Sequence, residues 1–319
     1  MSHIRIKDVH YMKIPYWLFK RFLHNYPNRR PHQPIPVETL NMDDMLHVKQ
    51  SKAVWFGHST VFMQLEGKTI LCDPIFSNLF WFFSLFTGKR FTEQLPIVPQ
   101  QLPAIDVVLL SHDHYDHMDY RSIMGIKDKV HGFCVPRGVG ARLRQWGIAK
   151  EKIAELSYGE TLCFDELIFT CTPNLHFSGR GLFDRNKTLW CSWVITSKKE
   201  TIFFSGDGAY GPHFKEIGDQ YGPFDLTLME CGQAIESFGA IHMTPEKAVQ
   251  AQLDLQGQLM LPIHWGMFSQ SNIEWTRQIE RLLIEAERRA VKVATPRIGE
   301  IVTIGAERYP CTSWWKEIN

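Results

Sequence analysis

Three histidines and an aspartate crowd into six consecutive positions of the stretch Ser111-His112-Asp113-His114-Tyr115-Asp116-His117. Imidazole nitrogens and a carboxylate suit zinc, and the same donors accept iron or manganese. Offsets of two, four and five from His112 do not share one face of a helix, but an irregular loop can turn these side chains toward two adjacent points. That is a template for two metal ions. Four ordered metal-type residues are a far stronger signal than a lone histidine.

Such a loop needs an element to aim it. The preceding Ile105-Asp106-Val107-Val108-Leu109-Leu110 is β-branched, nearly all apolar and bounded by turn residues, and reads as a short buried strand. The ligands therefore leave a strand's C-terminal end.

The His-X-His-X-Asp-His pattern resembles the metallo-β-lactamase superfamily, whose loop is completed by a distant histidine, an aspartate and another histidine, each following its own strand. This chain offers all three in order: His176 in Thr172-Pro173-Asn174-Leu175-His176, Asp207 in Ser205-Gly206-Asp207-Gly208, and His264 in Leu261-Pro262-Ile263-His264-Trp265-Gly266. Singly each is weak; their order and repeated strand-end placement carry the reading. The small residues around Asp207 leave room for backbone and carboxylate to approach closely.

The rest of the composition narrows the class. At 319 residues with 44% hydrophobic and 22% charged content the chain can bury a full core. A formal charge of +1 offers no bulk field for a polyanion, so no nucleic-acid partner is expected. Seven scattered cysteines (Cys72, Cys134, Cys163, Cys171, Cys191, Cys231, Cys311), without a CxxC pair, read as buried thiols in a reducing compartment. With no cleavable apolar leader recognisable, a cytoplasmic location is expected.

Residues 1–50 carry five prolines between Pro15 and Pro36 and read as an N-terminal extension packing on the body, with Tyr16-Trp17-Leu18-Phe19 as its apolar patch. Residues 51–319 read as one hydrolase domain. Ala53–Phe56, Thr60–Leu65 and Thr69–Cys72 are expected strands, the last two joined as a hairpin through Glu66-Gly67-Lys68. The aromatic run 79–86 is too short to span a bilayer; it suits a core helix or dimer contact, or equally a lip for acyl chains or peripheral membrane contact. Asp119 should cap a short helix, His131–Val135 should be a strand, and a helix over 139–146 should end at Gly147. Further strands are expected at Leu167–Thr172, Leu189–Ile195, Thr201–Phe204 and Leu226–Met229. Thr244 and Pro245 should open a helix running to about Leu255, and the spacing predicts an amphipathic helix over 272–289.

Several flanking words narrow the resemblance. Phe56-Gly57-His58-Ser59-Thr60-Val61, Cys72-Asp73-Pro74-Ile75-Phe76-Ser77, Ser111 to Tyr120, Tyr221-Gly222-Pro223-Phe224-Asp225-Leu226 and Ile263-His264-Trp265-Gly266 are similar to the N-acylphosphatidylethanolamine-hydrolysing phospholipase D family over about residues 53 to 270. That resemblance implies an αββα four-layer sandwich, with two mixed β-sheets flanked by helices. It implies two Zn2+ ions, one on His112, His114 and His176, the other on Asp116, His117 and His264, with Asp207 between them. It further implies catalytic parts for Asp116, Asp207 and His242, a hydroxide bridging the ions as nucleophile, a lipid phosphodiester substrate and a homodimer. His242 precedes a helix N-terminus, where free amides favour anions. Asp73 is expected to fix a ligand histidine's tautomer, and His58 to line the pocket or support the loop. Met229-Glu230-Cys231-Gly232-Gln233-Ala234 departs from the family's wording where a substrate wall would lie.

Fold does not fix substrate. A lactonase, esterase or soluble phosphodiesterase would share this scaffold, and a panel of lipids against soluble esters separates them. A non-catalytic, metal-stabilised lipid- or partner-binding protein would keep its activity in His242→Ala.

Overall fold

The hairpin that begins the sandwich is closed by two residues in the left-handed region, Glu66 (φ 47°) and Gly67 (φ 77°). Their twist matches the paired strands β2 (Val61–Leu65) and β3 (Lys68–Cys72), which meet at Leu65↔Lys68. In the computed structural model, residues 27–46, 50–78, 89–181, 183–232 and 241–318 are described. The aromatic run 79–86 and the Tyr16–Phe19 patch lie outside the described residues.

β1 (Lys52–Trp55) pairs antiparallel with β2, while β4 (Ile105–Leu109), β5 (Val130–Pro136) and β6 (Ile153–Leu156) add in parallel beyond β3. The second sheet is built from β7 (Thr161–Phe164), β8 (Leu167–Thr172), β9 (Ser192–Thr196), β10 (Thr201–Phe204), β11 (Leu226–Glu230) and β12 (Met260–Ile263). β7 to β10 are antiparallel neighbours, and β11 and β12 run parallel to β10. Two mixed sheets of seven and six strands result.

β2 is buried at every position, which follows from side chains alternating between two covered faces. Val61, Met63 and Leu65 join the core between the sheets with Phe169, Trp193 and Phe203, whereas Phe62 joins an outer core beneath helices Tyr120–Ile126 and Gly140–Gln145. Helices His213–Tyr221, Pro245–Asp254 and Arg277–Arg288 cover the second sheet, contributing Phe214, Val249 and Ile279 to its packing. The architecture is the αββα sandwich expected.

Local rules account for the caps. Asp119 accepts from Ser122 N–H, Thr244 accepts from Lys247 N–H with Pro245 at the helix start, and Gly147 (φ 85°) ends its helix.

Three departures have tertiary causes. The first sheet is completed by β13 (Ile301–Thr303) against β1, a strand that the apolar pattern does not announce and that long-range pairing supplies. Leu189–Cys191 is not strand, because Leu189 N–H bonds Arg137 and Cys191 N–H bonds Ser111, both in the other half. The last long helix begins at Arg277 rather than 272, since Trp275 is held by its N–H to Asn28 and packs in an aromatic cluster. Cys163 and Cys311 are exposed, while the other five thiols are buried; all seven are free.

That cluster lies behind the site. Trp265 stacks on Trp55 at 5.2 Å and on Trp314 at 5.7 Å between centroids, with Trp315 edge-on at 5.3 Å. Residues 27–46 lie against this end of the body through Ile35 to Phe91, Glu38 to Ile298 and Leu40 to Pro96 backbone bonds.

His213 opens its helix fully buried against Phe214, and neither ring nitrogen has a hydrogen-bond partner among the described residues. Burial pushes its imidazole down to about 4. A group depressed on folding adds nothing above its unfolded value of about 6.5 and costs stability as pH falls toward 4. His213→Phe should therefore recover about 3 kcal/mol at pH 4 and little at pH 7. Urea unfolding at both pH values checks this; an equal gain at each would show a packing effect instead.

Candidate metal centre

Every candidate metal ligand sits where a strand ends on one edge of the sandwich, while His242 lies in the loop before the helix Pro245–Asp254. The loop 111–119 follows β4, His176 follows β8, Asp207 follows β10 and His264 follows β12. Asp207 reaches the loop because Gly206, at φ +56°, stands where a Cβ would lie 2.6 Å from Ser111 Cβ. His264 (φ 66°) and His58 (φ 51°) hold the left-handed region without being glycine, an expense of backbone strain typical of functional sites. Reciprocal backbone bonds between His58 and the 264–265 segment, 2.9 and 3.0 Å, hold them there.

Two sets of donors converge. His112 Nε2 lies 2.9 Å from His114 Nδ1, which is 3.3 Å from His176 Nε2. Asp116 Oδ2 lies 3.6 Å from His117 Nε2 and 3.5 Å from His264 Nε2. Asp207 Oδ2 stands between the sets, 3.0 Å from both His117 Nε2 and His264 Nε2, and 4.0 and 3.9 Å from His112 and His176 Nε2. Asp113, inside the same loop, points away: its carboxylate accepts from Arg142 Nε and Gly179 N–H.

The outer nitrogens of three of the rings are already committed. His117 Nδ1–H donates to Asp73 at 2.7 Å, as expected for Asp73, and His176 Nδ1–H donates to the Ile241 carbonyl at 2.9 Å. His112 Nδ1 lies 2.9 Å from Ser111 Oγ, whose own proton goes to Asp73 at 2.6 Å. Each of these rings is thereby left with its Nε2 lone pair facing inward. His117 Nε2, His264 Nε2 and Asp207 Oδ1 are buried without a hydrogen-bond partner among the described residues. Buried orphan acceptors of this kind are costly unless a ligand uses them. The 2.9 and 3.3 Å nitrogen separations approach the edge of a tetrahedron, about 3.3 Å, around an ion with bonds of about 2.0 Å to nitrogen. The residues fit a metal.

Electrostatics agree. Burial pushes His112 and His176 far below the ordinary imidazole range and His114 to about 4, so these rings are neutral donors. For His117 and His264 burial also pushes downward, but Asp207 and Asp116 overcome it, raising His264 to about 10. The carboxylates demand positive charge at this point, as a dication supplies.

A model of the β-lactamase superfamily domain matches residues 68–265. The chain belongs to the metallo-β-lactamase superfamily. This is a fold of metal-dependent hydrolases. The chain is 39% identical over 295 residues to an uncharacterised protein of Mycobacterium tuberculosis H37Rv, covering 90% of this chain and 77% of that one. It is 31% identical over 255 residues to N-acyl-phosphatidylethanolamine-hydrolyzing phospholipase D 1 of Caenorhabditis elegans, covering 76% of this chain and 71% of that one. Among solved structures, the metallo hydrolase Igni18 of Ignicoccus hospitalis superposes with a TM-score of 0.60 at 20% identity, over 81% of this chain and all of that one.

Within this metallo-β-lactamase site several residues lie beyond what sequence reasoning named. Gln270 Nε2 donates to Asp116 Oδ2 at 2.6 Å, and His58 Nε2 donates to the same oxygen at 3.0 Å, so His58 supports the aspartate as well as the loop. Asn174 Nδ2 bridges the Ser205 and Asp207 carbonyls, both at 2.7 Å, tying the His176 loop to Asp207. Arg180 clamps the metal loop from outside through the Asp113 and Met118 carbonyls. Glu230, the last residue of β11, is fully buried between Gly208 N–H and His242. No local pattern marks these residues, because each partner is distant in sequence.

Proposed function

We propose that the chain is a dinuclear zinc hydrolase, a phosphodiesterase of phospholipase D type acting on N-acylphosphatidylethanolamine-like lipids. The observation that carries this reading is Asp207 Oδ2 within 4.0 Å of four histidine nitrogens drawn from both donor sets. Likeness to the C. elegans phospholipase D over most of both chains supports the substrate class.

His112, His114 and His176 would hold one ion and Asp116, His117 and His264 the other, with Asp207 shared. When bound, the metal pair supplies Lewis acidity and a water acidic enough to attack at neutral pH. The chain supplies the rest. Its ligand rings are fixed in advance, the Asp116 carboxylate is oriented by His58 and Gln270, and His242 stands beside both donor sets, its ring 5.3 Å from His176 and 5.2 Å from His264. In the reaction water oxygen bonds phosphorus, the bond from phosphorus to the N-acylethanolamine oxygen breaks, and that oxygen takes up a proton. The products are a phosphatidic acid and an N-acylethanolamine. We assign lipid contact to residues 79–86.

The test is release of N-acylethanolamine from mixed micelles by zinc-loaded protein, with chelated protein, a lactone and a soluble phosphodiester as controls. Zinc-dependent release is expected. Turnover of the lactone alone would overturn the lipid assignment and leave a hydrolase of another substrate.

A further inference from the structure

Glu230 is a carboxylate placed at the end of β11, a strand flanked on both sides, fully buried, within 3.9 Å of His264 Nδ1. Such a group persists only if it is paired. Its two oxygens are divided: Oε2 accepts Gly208 N–H at 2.8 Å, next to Asp207, and Oε1 accepts His242 Nδ1–H at 2.5 Å. The donors come from two segments, the turn after β10 and the loop before the helix Pro245–Asp254. The His242 side chain is 15% exposed, whereas Glu230 is 0% exposed, so the ring edge away from Glu230 is the one open to the site.

We propose that Glu230 is a positioning residue for His242. It commits Nδ1 to the protein interior and presents Nε2, as the only remaining ring nitrogen, to the phosphoryl or leaving-group oxygen. The pairing fixes the His242 ring beside Asp207 and His264, the ligand atoms of these two residues, Glu230 and His242 all lying within 4.8 Å of one another. Glu230 has a second consequence for geometry: by holding Gly208 N–H it fixes the turn that carries Asp207. The inference rests on the phosphodiesterase reading for the identity of the oxygen met by Nε2, though not for the pairing itself.

Glu230→Gln separates these roles, because an amide oxygen accepts one N–H while its nitrogen can accept none. Full-length zinc-loaded Glu230→Gln, Glu230→Ala, His242→Ala and Glu230→Gln/His242→Ala are compared by metal content, by 15N NMR of the histidine rings and by turnover of bis(p-nitrophenyl) phosphate. The expected result is unchanged metal content, a His242 resonance that leaves the single Nδ1–H tautomer pattern, and kcat lower by about 10–100-fold with KM little changed. The double variant should be no slower than His242→Ala. Metal lost in proportion to activity would show Glu230 acting through the metal site, as a ligand or through the turn that carries Asp207, and would overturn the proposal, as would an unmoved His242 resonance or a double variant slowed by the product of both single effects. If wild-type protein cleaves no phosphodiester, the proposed function fails, and the NMR and metal measurements still decide Glu230.

Discussion

Asp207→Asn is expected to remove at least one of two bound zinc ions and to lower kcat on a phosphodiester by about 10³-fold, or about 4 kcal/mol of transition-state stabilisation. The change is nearly isosteric, so packing is preserved and the charge alone is lost. Asp207 Oδ2 stands between both donor sets, 3.0 Å from His117 Nε2 and His264 Nε2, neither of which has a hydrogen-bond partner among the described residues. A neutral amide neither shares a second lone pair as strongly nor offsets two cations. Metal analysis of purified variant and wild type, followed by steady-state kinetics, checks this. A variant with two ions and wild-type kcat would show that Asp207 is structural and would remove its role as the ligand shared between the two ions.

Asp73→Asn should act from one layer further out. Asp73 is fully buried and accepts from Ser111 N–H, Ser111 Oγ–H and His117 Nδ1–H at 2.8, 2.6 and 2.7 Å. It therefore orients a ligand of each donor set, His117 directly and His112 through the serine hydroxyl. An asparagine can accept on one atom only, and its amide N–H groups would face His117 Nδ1 and the serine. His117 would then carry its proton on Nε2, the nitrogen needed inward. Zinc affinity should fall by about 10–100-fold without loss of fold, measurable by competition with a chelating dye. Asp73→Ala, leaving buried donors with nothing, should also cost about 3–5 kcal/mol in urea unfolding. Unchanged affinity in Asp73→Asn would show that the carboxylate serves the fold alone.

The difference between these two residues and Glu230 shows how far a sequence can be read. His112, His114, Asp116 and His117 are legible because one loop carries them and their types have few other uses. Asp73 was legible because it ends a hairpin strand in a recognisable word. The strands themselves follow from apolar alternation, and β8 and β10 have the bounds their patterns predict. Glu230 instead follows four strand residues and continues their run. Its meaning depends on Gly208 and His242, which reach it from either side through the chain's topology. Gln270 and Asn174 are silent for the same reason. So is β13, a three-residue strand whose pairing with β1 joins positions separated by almost the whole domain. Helix entry at Arg277 was obscured by Trp275, which packing claims before helical spacing can.

The tryptophan cluster gives the protein a built-in optical reporter. Trp265 follows His264 directly, and its indole stacks face to face with those of Trp55 and Trp314. Indoles this close couple their ultraviolet transitions, and the sign and amplitude of the resulting circular-dichroism couplet depend on their mutual angles. Any adjustment of the His264 backbone as an ion is gained or lost passes through one shared peptide bond into that stack. A change in that couplet as zinc is titrated in is the signal expected of ion binding at the second donor set, read in solution without label, substrate or turnover.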